Sequence, residues 1–165
     1  SAIEFGCGDG HQLALLDVAD YTGIDVAPAA LALCRTRFAG HPGRRFHLAG
    51  DLAGLPAAEL GLSLDVIYHL VEDDVFAEHL QALFTHAWRY VAIYASDTEA
   101  GWSSPHVRHR RFTRHVARAF PDWQLAAVLP NPYPFDPANP DGTSFAAFHL
   151  YRQGHETLRL ALPPA

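Results

Sequence analysis

Short apolar runs alternate with stretches of helical spacing along the first 130 residues of the chain. The runs predict six strands, at residues 2–5, 21–25, 46–49, 64–68, 90–95 and 125–129. Several of them are apolar at successive positions, which is typical of strands covered by helices on both faces. This alternation predicts β-α-β units and a mostly parallel sheet.

Three of the intervening stretches carry apolar stripes at the spacing of an α-helix. The stripes are Leu31, Cys34 and Phe38; Phe76, Leu80, Leu83 and Ala87; and Phe112, Val116 and Phe120. Pro28 suits the first turn of the first helix, and Gly40 is placed to end it. The carboxylates at residues 72–74 favour the N-terminus of the second helix. We expect all three stripes to face the core.

Residues 130–142 are rich in Pro and Asn and predict an irregular loop. A seventh strand follows it and ends near Tyr151. At 165 residues the chain can bury roughly 70% of the surface that its unfolded form exposes, which is enough for one core. We therefore expect one α/β domain over residues 1–153 and a peripheral tail over residues 154–165. Because no methionine precedes the first strand, we also expect that this domain lacks an upstream helical segment.

The motif with the clearest chemical meaning is EFGCGDG at residues 4–10, directly after the first strand. Its glycines allow a sharp turn and a close approach of the backbone to a ligand. The second strand ends in Asp25, whose carboxylate can accept both hydrogen bonds from a ribose diol. Asp51 follows the third strand, and Asp65 and His69 begin and end the fourth. Polar residues at the carboxyl ends of neighbouring parallel strands face a shared ligand crevice, whereas the glycine motif alone would also fit an ordinary tight turn.

Over residues 1–151 the chain resembles the class I methyltransferases, because EFGCGDG is similar to their E-x-G-x-G-x-G turn. The resemblance implies a doubly wound, seven-stranded sheet with helices on both faces and an antiparallel last strand. It also implies S-adenosyl-L-methionine as the methyl donor and S-adenosyl-L-homocysteine as the product. The segments SLDVIYHLVEDD, HVRHRRF and NPYPF further resemble a group of small bacterial methyltransferases.

The same resemblance implies a set of cofactor-binding residues. They are Glu4, Gly6, Cys7, Gly8, Gly10, Asp25, Val26, Asp51 and Leu52. Glu4 would support the amino acid end of the cofactor, and Asp25 would bind the ribose hydroxyls. Asp51 would accept a hydrogen bond from the adenine amino group, beside which Val26 would pack.

A nicotinamide dehydrogenase is the competing interpretation, since it also joins a glycine turn to an acidic ribose partner. Its turn is G-x-G-x-x-G, whereas the third glycine here comes one residue earlier. Within the given 165 residues we expect no second domain that could hold a substrate and a catalytic acid. The spacing therefore favours the methyltransferase.

Composition narrows the possible partners. No apolar run approaches the length of a membrane span, and two cysteines are too few for a disulfide framework, so we expect a soluble, cytoplasmic protein. The formal net charge of -6 makes nucleic acid an unexpected partner. Every cationic contact must use arginine, because the chain has no lysine. The oligomeric state does not follow from the sequence.

His69 is the candidate general base, because it ends the fourth predicted strand beside the expected methyl group. Histidine exchanges protons near neutral pH, which suits an acceptor that must lose a proton. The alternative is that His69 only lines the pocket or caps the next helix.

Five of the twelve arginines fall in HVRHRRFTRHVAR, residues 106–118. On a helix, Arg108 and Arg111 would share a face that can hold a phosphate or carboxylate, although a solvated basic face is the alternative. We include His109 and Tyr133 with them as predicted acceptor-binding residues. No metal site is expected, because the arginines would repel a cation.

Two classes of function remain open. The first is an enzyme that methylates a small-molecule or carbohydrate-like acceptor, including an anionic one. The second is an inactive, cofactor-binding or structural partner in a larger complex. The intact glycine turn and Asp25 favour the enzyme.

Overall fold

The computed structural model describes residues 1–99, 101 and 104–154. Its strands are β1 (Ala2–Phe5), β2 (Tyr21–Asp25), β3 (Arg44–Leu48), β4 (Ala58–Leu64), β5 (Ala87–Ala95), β6 (Trp123–Leu129) and β7 (Ala147–Gln153). Its helices are α1 (Pro28–Arg37), α2 (Asp73–Thr85) and α3 (Phe112–Ala119). Short 3₁₀ turns occupy Gln12–Leu15, Ile67–His69 and Pro140–Gly142. The predicted tail lies outside the described residues except for Gly154.

The seven strands form one sheet in the order β3-β2-β1-β4-β5-β7-β6. β1 pairs in parallel with β2 and β4, and β4 pairs in parallel with β5. β7 runs antiparallel to both β5 and β6, between which it lies. The predicted doubly wound sheet with an antiparallel last strand is therefore confirmed.

Helices cover the two faces of the sheet and bury a separate apolar cluster on each. α1 packs Leu31 and Cys34 on one face, beneath β2 and β3. α2 and α3 pack the larger cluster on the other face, which includes Leu80, Leu83 and Val116. Each of these five side chains is fully buried, and full burial of a leucine or valine contributes about 2 kcal/mol. The prediction that the stripes face the core is correct, although Ala87 reaches the core from the start of β5, after α2 has ended.

The fourth strand begins six residues earlier than predicted, at Ala58 instead of residue 64. Glu59, Gly61 and Ser63 interrupt its apolar pattern, so the run from residue 64 looked more strand-like. The strand ends before Asp65, whose φ of 60° turns the chain away from the sheet. His69 consequently lies in a 3₁₀ turn beyond the strand and not at its end.

The helical face predicted for Arg108 and Arg111 is wrong, because α3 begins only at Phe112. Asp97, just after β5, accepts hydrogen bonds from the Thr113 amide and hydroxyl, at 3.1 Å and 2.7 Å, and so fixes where the helix starts. The Arg108 amide donates to the Tyr68 carbonyl oxygen at 2.8 Å, which holds the preceding loop against the turn at Ile67–His69. None of the described helices is long and apolar enough to cross a membrane.

Candidate active site

The glycine turn after β1 is held against the end of β2. The amides of Gly6 and Cys7 both donate to the Ile24 carbonyl oxygen, at 2.7 Å and 3.0 Å. Gly6 and Gly10 have φ of 90° and 75°, which side chains with a Cβ rarely adopt. A Cβ on Gly10 would lie 2.6 Å from the Phe38 ring, so the turn also needs a glycine to pack on α1. A short 3₁₀ turn at Gln12–Leu15 follows the motif.

Asp25 connects this turn to the end of β2. One carboxylate oxygen accepts the Gly8 amide at 2.8 Å, and the other accepts the Ala27 amide at 2.9 Å. Each oxygen keeps a further lone pair, so the carboxylate can still accept hydrogen bonds from a diol. The residue predicted to bind ribose therefore also holds the glycine turn in place.

Glu4 lies in the centre of β1 and is 1% exposed. The Tyr21 hydroxyl donates to its Oε2, while its buried Oε1 has no hydrogen-bond partner among the described residues. Burial raises the pKa of this carboxyl, more than the Tyr21 hydrogen bond lowers it. Glu4 lines neither of the two hollows beside the glycine turn, so its predicted support of the amino acid end of the cofactor stays a prediction.

Beside the glycine turn lies a cleft of about 380 Å³, which we call the donor cleft. Its lining includes Gly6, Asp25, Val26, Asp65, His69 and His79. Val26 is 80% exposed here, so its side chain is accessible to a ligand in the cleft. A second hollow of about 310 Å³ over Gly8 and His11 meets the donor cleft at Gly6. Together they give room for an extended ligand with polar groups at Asp25 and at the glycine turn.

The other predicted cofactor residues lie around these hollows. Cys7 lines the hollow over the glycine turn, but burial raises the pKa of its thiol, so it stays protonated and is no nucleophile. Asp51 is exposed in the turn after β3, where its amide donates to the Leu48 carbonyl oxygen at 2.9 Å. Leu52 packs at the edge of the larger core. The predicted adenine contacts of Asp51 and Leu52 stay predictions.

Sequence reasoning placed Asp65 at the start of the fourth strand and included neither Asp65 nor His79 among the predicted site residues, yet both line the donor cleft. Asp65 accepts the Tyr68 hydroxyl at 2.7 Å and is the single described non-glycine residue with a positive φ. Such a conformation costs energy and is concentrated at functional sites. His79 bonds to the Ser63 hydroxyl at 2.9 Å, and burial lowers its pKa to about 4. A correct boundary for β4 would have put Asp65 at the carboxyl edge of the sheet.

His69 is exposed and lines the donor cleft. Its Nδ1 lies 3.3 Å from the His106 carbonyl oxygen, which can only accept, so Nδ1 carries the proton. Its ring also packs against Tyr68, with ring centroids 4.6 Å apart. The Nε2 lone pair is thereby left available to take a proton.

Aromatic side chains continue from Tyr68 towards the β6–β7 loop. Phe145 meets the rings of Tyr68 and His109 edge to face, at centroid distances of 5.2 Å and 4.8 Å. His109 is 7% exposed, and its Nδ1 lies 2.5 Å from the Ser96 hydroxyl. Tyr133, from the same loop as Phe145, is 67% exposed. Of the predicted acceptor residues, Tyr133 therefore offers an exposed ring. His109 is buried and borders the cleft described next.

Arg108 and Arg111 line a different cleft, of about 660 Å³, which we call the basic cleft. Its arginines are Arg108, Arg110, Arg111, Arg114 and Arg118. Asp73 forms ion pairs with Arg108 at 3.0 Å and Arg110 at 3.2 Å. Arg110 also donates to the carbonyl oxygens of Leu70 and Val71, at 2.6 Å and 2.5 Å. Leu70 lines the donor cleft and Asp73 the basic cleft, so the segment between them separates the two.

Metal ligands do not come together in the part of the chain that the structure describes. No group of three His, Cys, Asp or Glu side chains there could hold an ion. The histidines of the basic segment have other contacts instead. His106 stacks on His69, and His115 meets Phe76 edge to face.

Comparisons with known proteins agree with this geometry. A sequence profile of the methyltransferase domain family matches residues 3–92, while no curated protein matches the chain. Among solved structures, the N-methyltransferase NodS from Bradyrhizobium japonicum in complex with S-adenosyl-L-homocysteine is similar over 93% of this chain and 78% of its own, with 14% identity and a TM-score of 0.72.

Two further structures have the same fold. Magnesium protoporphyrin IX methyltransferase from Synechocystis, with bound S-adenosyl-L-homocysteine, is 14% identical, with a TM-score of 0.67 over 93% of this chain and 74% of its own. An S-adenosylmethionine-dependent methyltransferase from Clostridium acetobutylicum is 9% identical, with a TM-score of 0.65 over 93% of this chain and 84% of its own.

The sheet order, the glycine turn and the profile match define the class: the chain has the class I methyltransferase fold. It belongs to the methyltransferase domain family and is an S-adenosylmethionine-dependent methyltransferase. The predicted fold, enzyme class and cofactor are thereby confirmed, and the dehydrogenase is set aside.

Proposed function

We propose that this methyltransferase acts on a small-molecule acceptor whose nucleophilic atom carries a proton, and that His69 takes this proton. The observation that carries the proposal is the hydrogen-bonded state of His69. Its Nδ1 donates to the His106 carbonyl oxygen, and its other ring nitrogen belongs to a side chain that lines the donor cleft. A ring fixed in this tautomer is ready to act as a general base.

When bound, S-adenosylmethionine supplies a methyl group on an activated sulfonium. The residues of the chain then have two tasks, which are to position the reactants and to accept the proton. Gly6, Gly8 and Asp25 fit the cofactor, because the glycine turn leaves open space above Gly8 and Asp25 lines the adjoining donor cleft. His69 Nε2 receives the proton from the acceptor as the acceptor gains the methyl group.

The acceptor would lie between His69 and the aromatic side chains of the β6–β7 loop. Tyr68 packs against both His69 and Phe145, so these aromatic residues extend away from the donor cleft. Tyr133 presents an exposed ring from the same loop. Aromatic faces of this kind suit a ring-shaped or carbohydrate-like acceptor.

Replacing His69 tests the proposal. We expect His69→Ala to lower kcat by about a hundredfold or more, the usual contribution of a general base, while the Kd for S-adenosylhomocysteine changes less than about threefold. The measurement is methyl transfer from labelled S-adenosylmethionine across a panel of hydroxylated and amino-bearing small molecules, together with calorimetric titration of the product.

His106→Ala is the matched control, because its carbonyl oxygen belongs to the backbone and the hydrogen bond to His69 is retained. It should keep kcat within about threefold of the parent value. Full activity of His69→Ala on an acceptor that the parent methylates would exclude His69 as the base.

A further inference from the structure

The basic cleft concentrates positive charge in an acidic chain. It brings five guanidinium groups together with two carboxylates, Asp73 and Glu99, and so carries a formal charge of +3. The whole chain has a formal net charge of -6. The arginines come from two elements: Arg108, Arg110 and Arg111 from the loop after β5, and Arg114 and Arg118 from α3.

Two of these arginines have a structural role. Arg108 and Arg110 pair with Asp73 and donate to carbonyl oxygens at residues 70 and 71, so they hold the loop against the start of α2. Arg110 also lies over the Phe76 ring, 4.6 Å from its centroid. Their guanidinium groups are satisfied within the chain.

The other three arginines are not used in this way. Arg111 and Arg118 have no ion-pair partner among the described residues. Arg114 reaches Glu99 at 3.5 Å, in an exposed pair of a kind that contributes little to stability. Their spacing of three and four residues, from the N-cap of α3 to its last turn, puts all three guanidinium groups on the side that borders the cleft. The fold itself does not need these three charges.

We propose that the basic cleft binds a phosphate-bearing small molecule through Arg111, Arg114 and Arg118. A guanidinium group binds phosphate oxygens through paired N–H donors, and three of them match a multiply charged anion better than a single carboxylate. The volume of about 660 Å³ accommodates a phosphorylated metabolite. The acidic remainder of the chain opposes a broad contact with a nucleic acid backbone.

This site is separate from the donor cleft. The two clefts share no lining residue within the described part of the chain, and the segment from Leu70 to Asp73 lies between them. The phosphate can therefore belong either to the acceptor, which would reach around this segment to His69, or to a second molecule. The binding itself does not rest on the proposed role of His69.

The test is a calorimetric titration of inorganic pyrophosphate into the full chain saturated with S-adenosylhomocysteine, at low ionic strength. We expect saturable binding at one site, which weakens at least tenfold in Arg111→Gln/Arg118→Gln, about the effect of losing one charged hydrogen bond. Arg45→Gln is the matched control, since Arg45 is an exposed arginine on β3 that pairs with Asp20. It should bind within about twofold of the parent chain.

Glu99→Gln should change the affinity for pyrophosphate in the opposite direction. Because it removes a carboxylate that competes for Arg114, pyrophosphate should bind more tightly to this variant. Absence of saturable binding to the S-adenosylhomocysteine-saturated chain, or an equal loss of affinity in Arg45→Gln, would each overturn the proposal. Circular dichroism of the variants verifies that each one is folded.

Adding pyrophosphate to the methyl-transfer assay distinguishes the two sources of phosphate. If the phosphate belongs to the acceptor, pyrophosphate competes with it, which raises the KM for the acceptor and leaves kcat unchanged. If the phosphate belongs to a second molecule, pyrophosphate still changes the rate of methyl transfer when the acceptor is saturating. This arm alone depends on the proposed methyl transfer, so its failure leaves the binding result intact.

Discussion

At the scale of single residues, Asp25 shows how one side chain can serve both the fold and the ligand. Its two carboxylate oxygens accept the amides of Gly8 and Ala27, which fixes the glycine turn and the start of α1 relative to β2. The same carboxylate lines the donor cleft. The loss of Asp25 should therefore weaken cofactor binding through both a direct and an indirect effect.

We expect Asp25→Ala to raise the Kd for S-adenosylhomocysteine at least tenfold, since a charged hydrogen bond contributes about 1.5–3 kcal/mol. Titration calorimetry measures the change. Asp17→Ala is the control, because Asp17 is exposed in the loop before β2 and should leave the Kd unchanged. Equal affinity of Asp25→Ala and the parent would rule out the ribose role.

At the scale of elements, the glycine turn is held by its neighbours as much as by its own residues. Gly10 packs on Phe38 and Cys34 of the α1 region, so the turn and the helix are one packing unit. A side chain at this position would meet both an unfavourable φ and a close contact. By contrast, a Cβ on Gly40, just after α1, would meet nothing within 4 Å.

Gly10→Ala should consequently destabilise the chain by more than about 1 kcal/mol and weaken S-adenosylhomocysteine binding, whereas Gly40→Ala should do neither. Urea denaturation and titration calorimetry test the two variants side by side. If Gly10→Ala were as stable as Gly40→Ala, the turn would be able to accommodate a Cβ at residue 10 without loss of folding free energy.

Sequence patterns predicted the elements better than their boundaries. β1 and β2 have the predicted limits because each is a short, almost wholly buried run, and Gly6 follows β1 while Asp25 ends β2. β4 was misplaced because Glu59, Gly61 and Ser63 break its pattern, although its neighbours β1 and β5 bury it. This boundary error put Asp65 at the start of the strand, whereas it directly follows the strand's carboxyl end.

Long-range contacts explain why the start of α3 and the tautomer of His69 could not be predicted. The start of α3 is determined by Asp97, which lies sixteen residues before Thr113, and no local pattern contains that information. Likewise the His69 tautomer depends on a carbonyl oxygen thirty-seven residues away. Residue types therefore predict the chemistry of the site. Which residues contact one another across the site follows only from the three-dimensional structure.

At the scale of the whole molecule, stability depends on pH through buried titratable groups. Burial lowers the pKa of His79 from 6.5 to about 4, so this side chain stays neutral in the folded chain where the unfolded chain would protonate it. The stability that this group contributes is complete above pH 6.5 and is lost as the pH falls through about 4. The pKa of Glu4 is shifted the opposite way, and its contribution declines as the pH rises above its ordinary 4.5.

The pKa shift of His79 corresponds to about 3 kcal/mol. His79→Gln can still bond to the Ser63 hydroxyl but cannot take up a proton in this range. Between pH 6.5 and pH 4 we therefore expect its free energy of unfolding to fall by about 3 kcal/mol less than that of the parent. Chemical denaturation at several pH values gives the difference. Parallel curves for the two proteins would show that His79 does not titrate differently on folding.

The position of β7 has a consequence for how the sheet is completed during synthesis. β6 is made before β7, yet among the described strands it pairs only with β7 and is an edge of the sheet. β5 likewise exposes an unpaired edge until β7 arrives. On a ribosome, β6 and the free side of β5 therefore stay unpaired until residue 153 has emerged. Open edges invite pairing with other chains, so nascent chains stalled before this point should be the form that most needs chaperones.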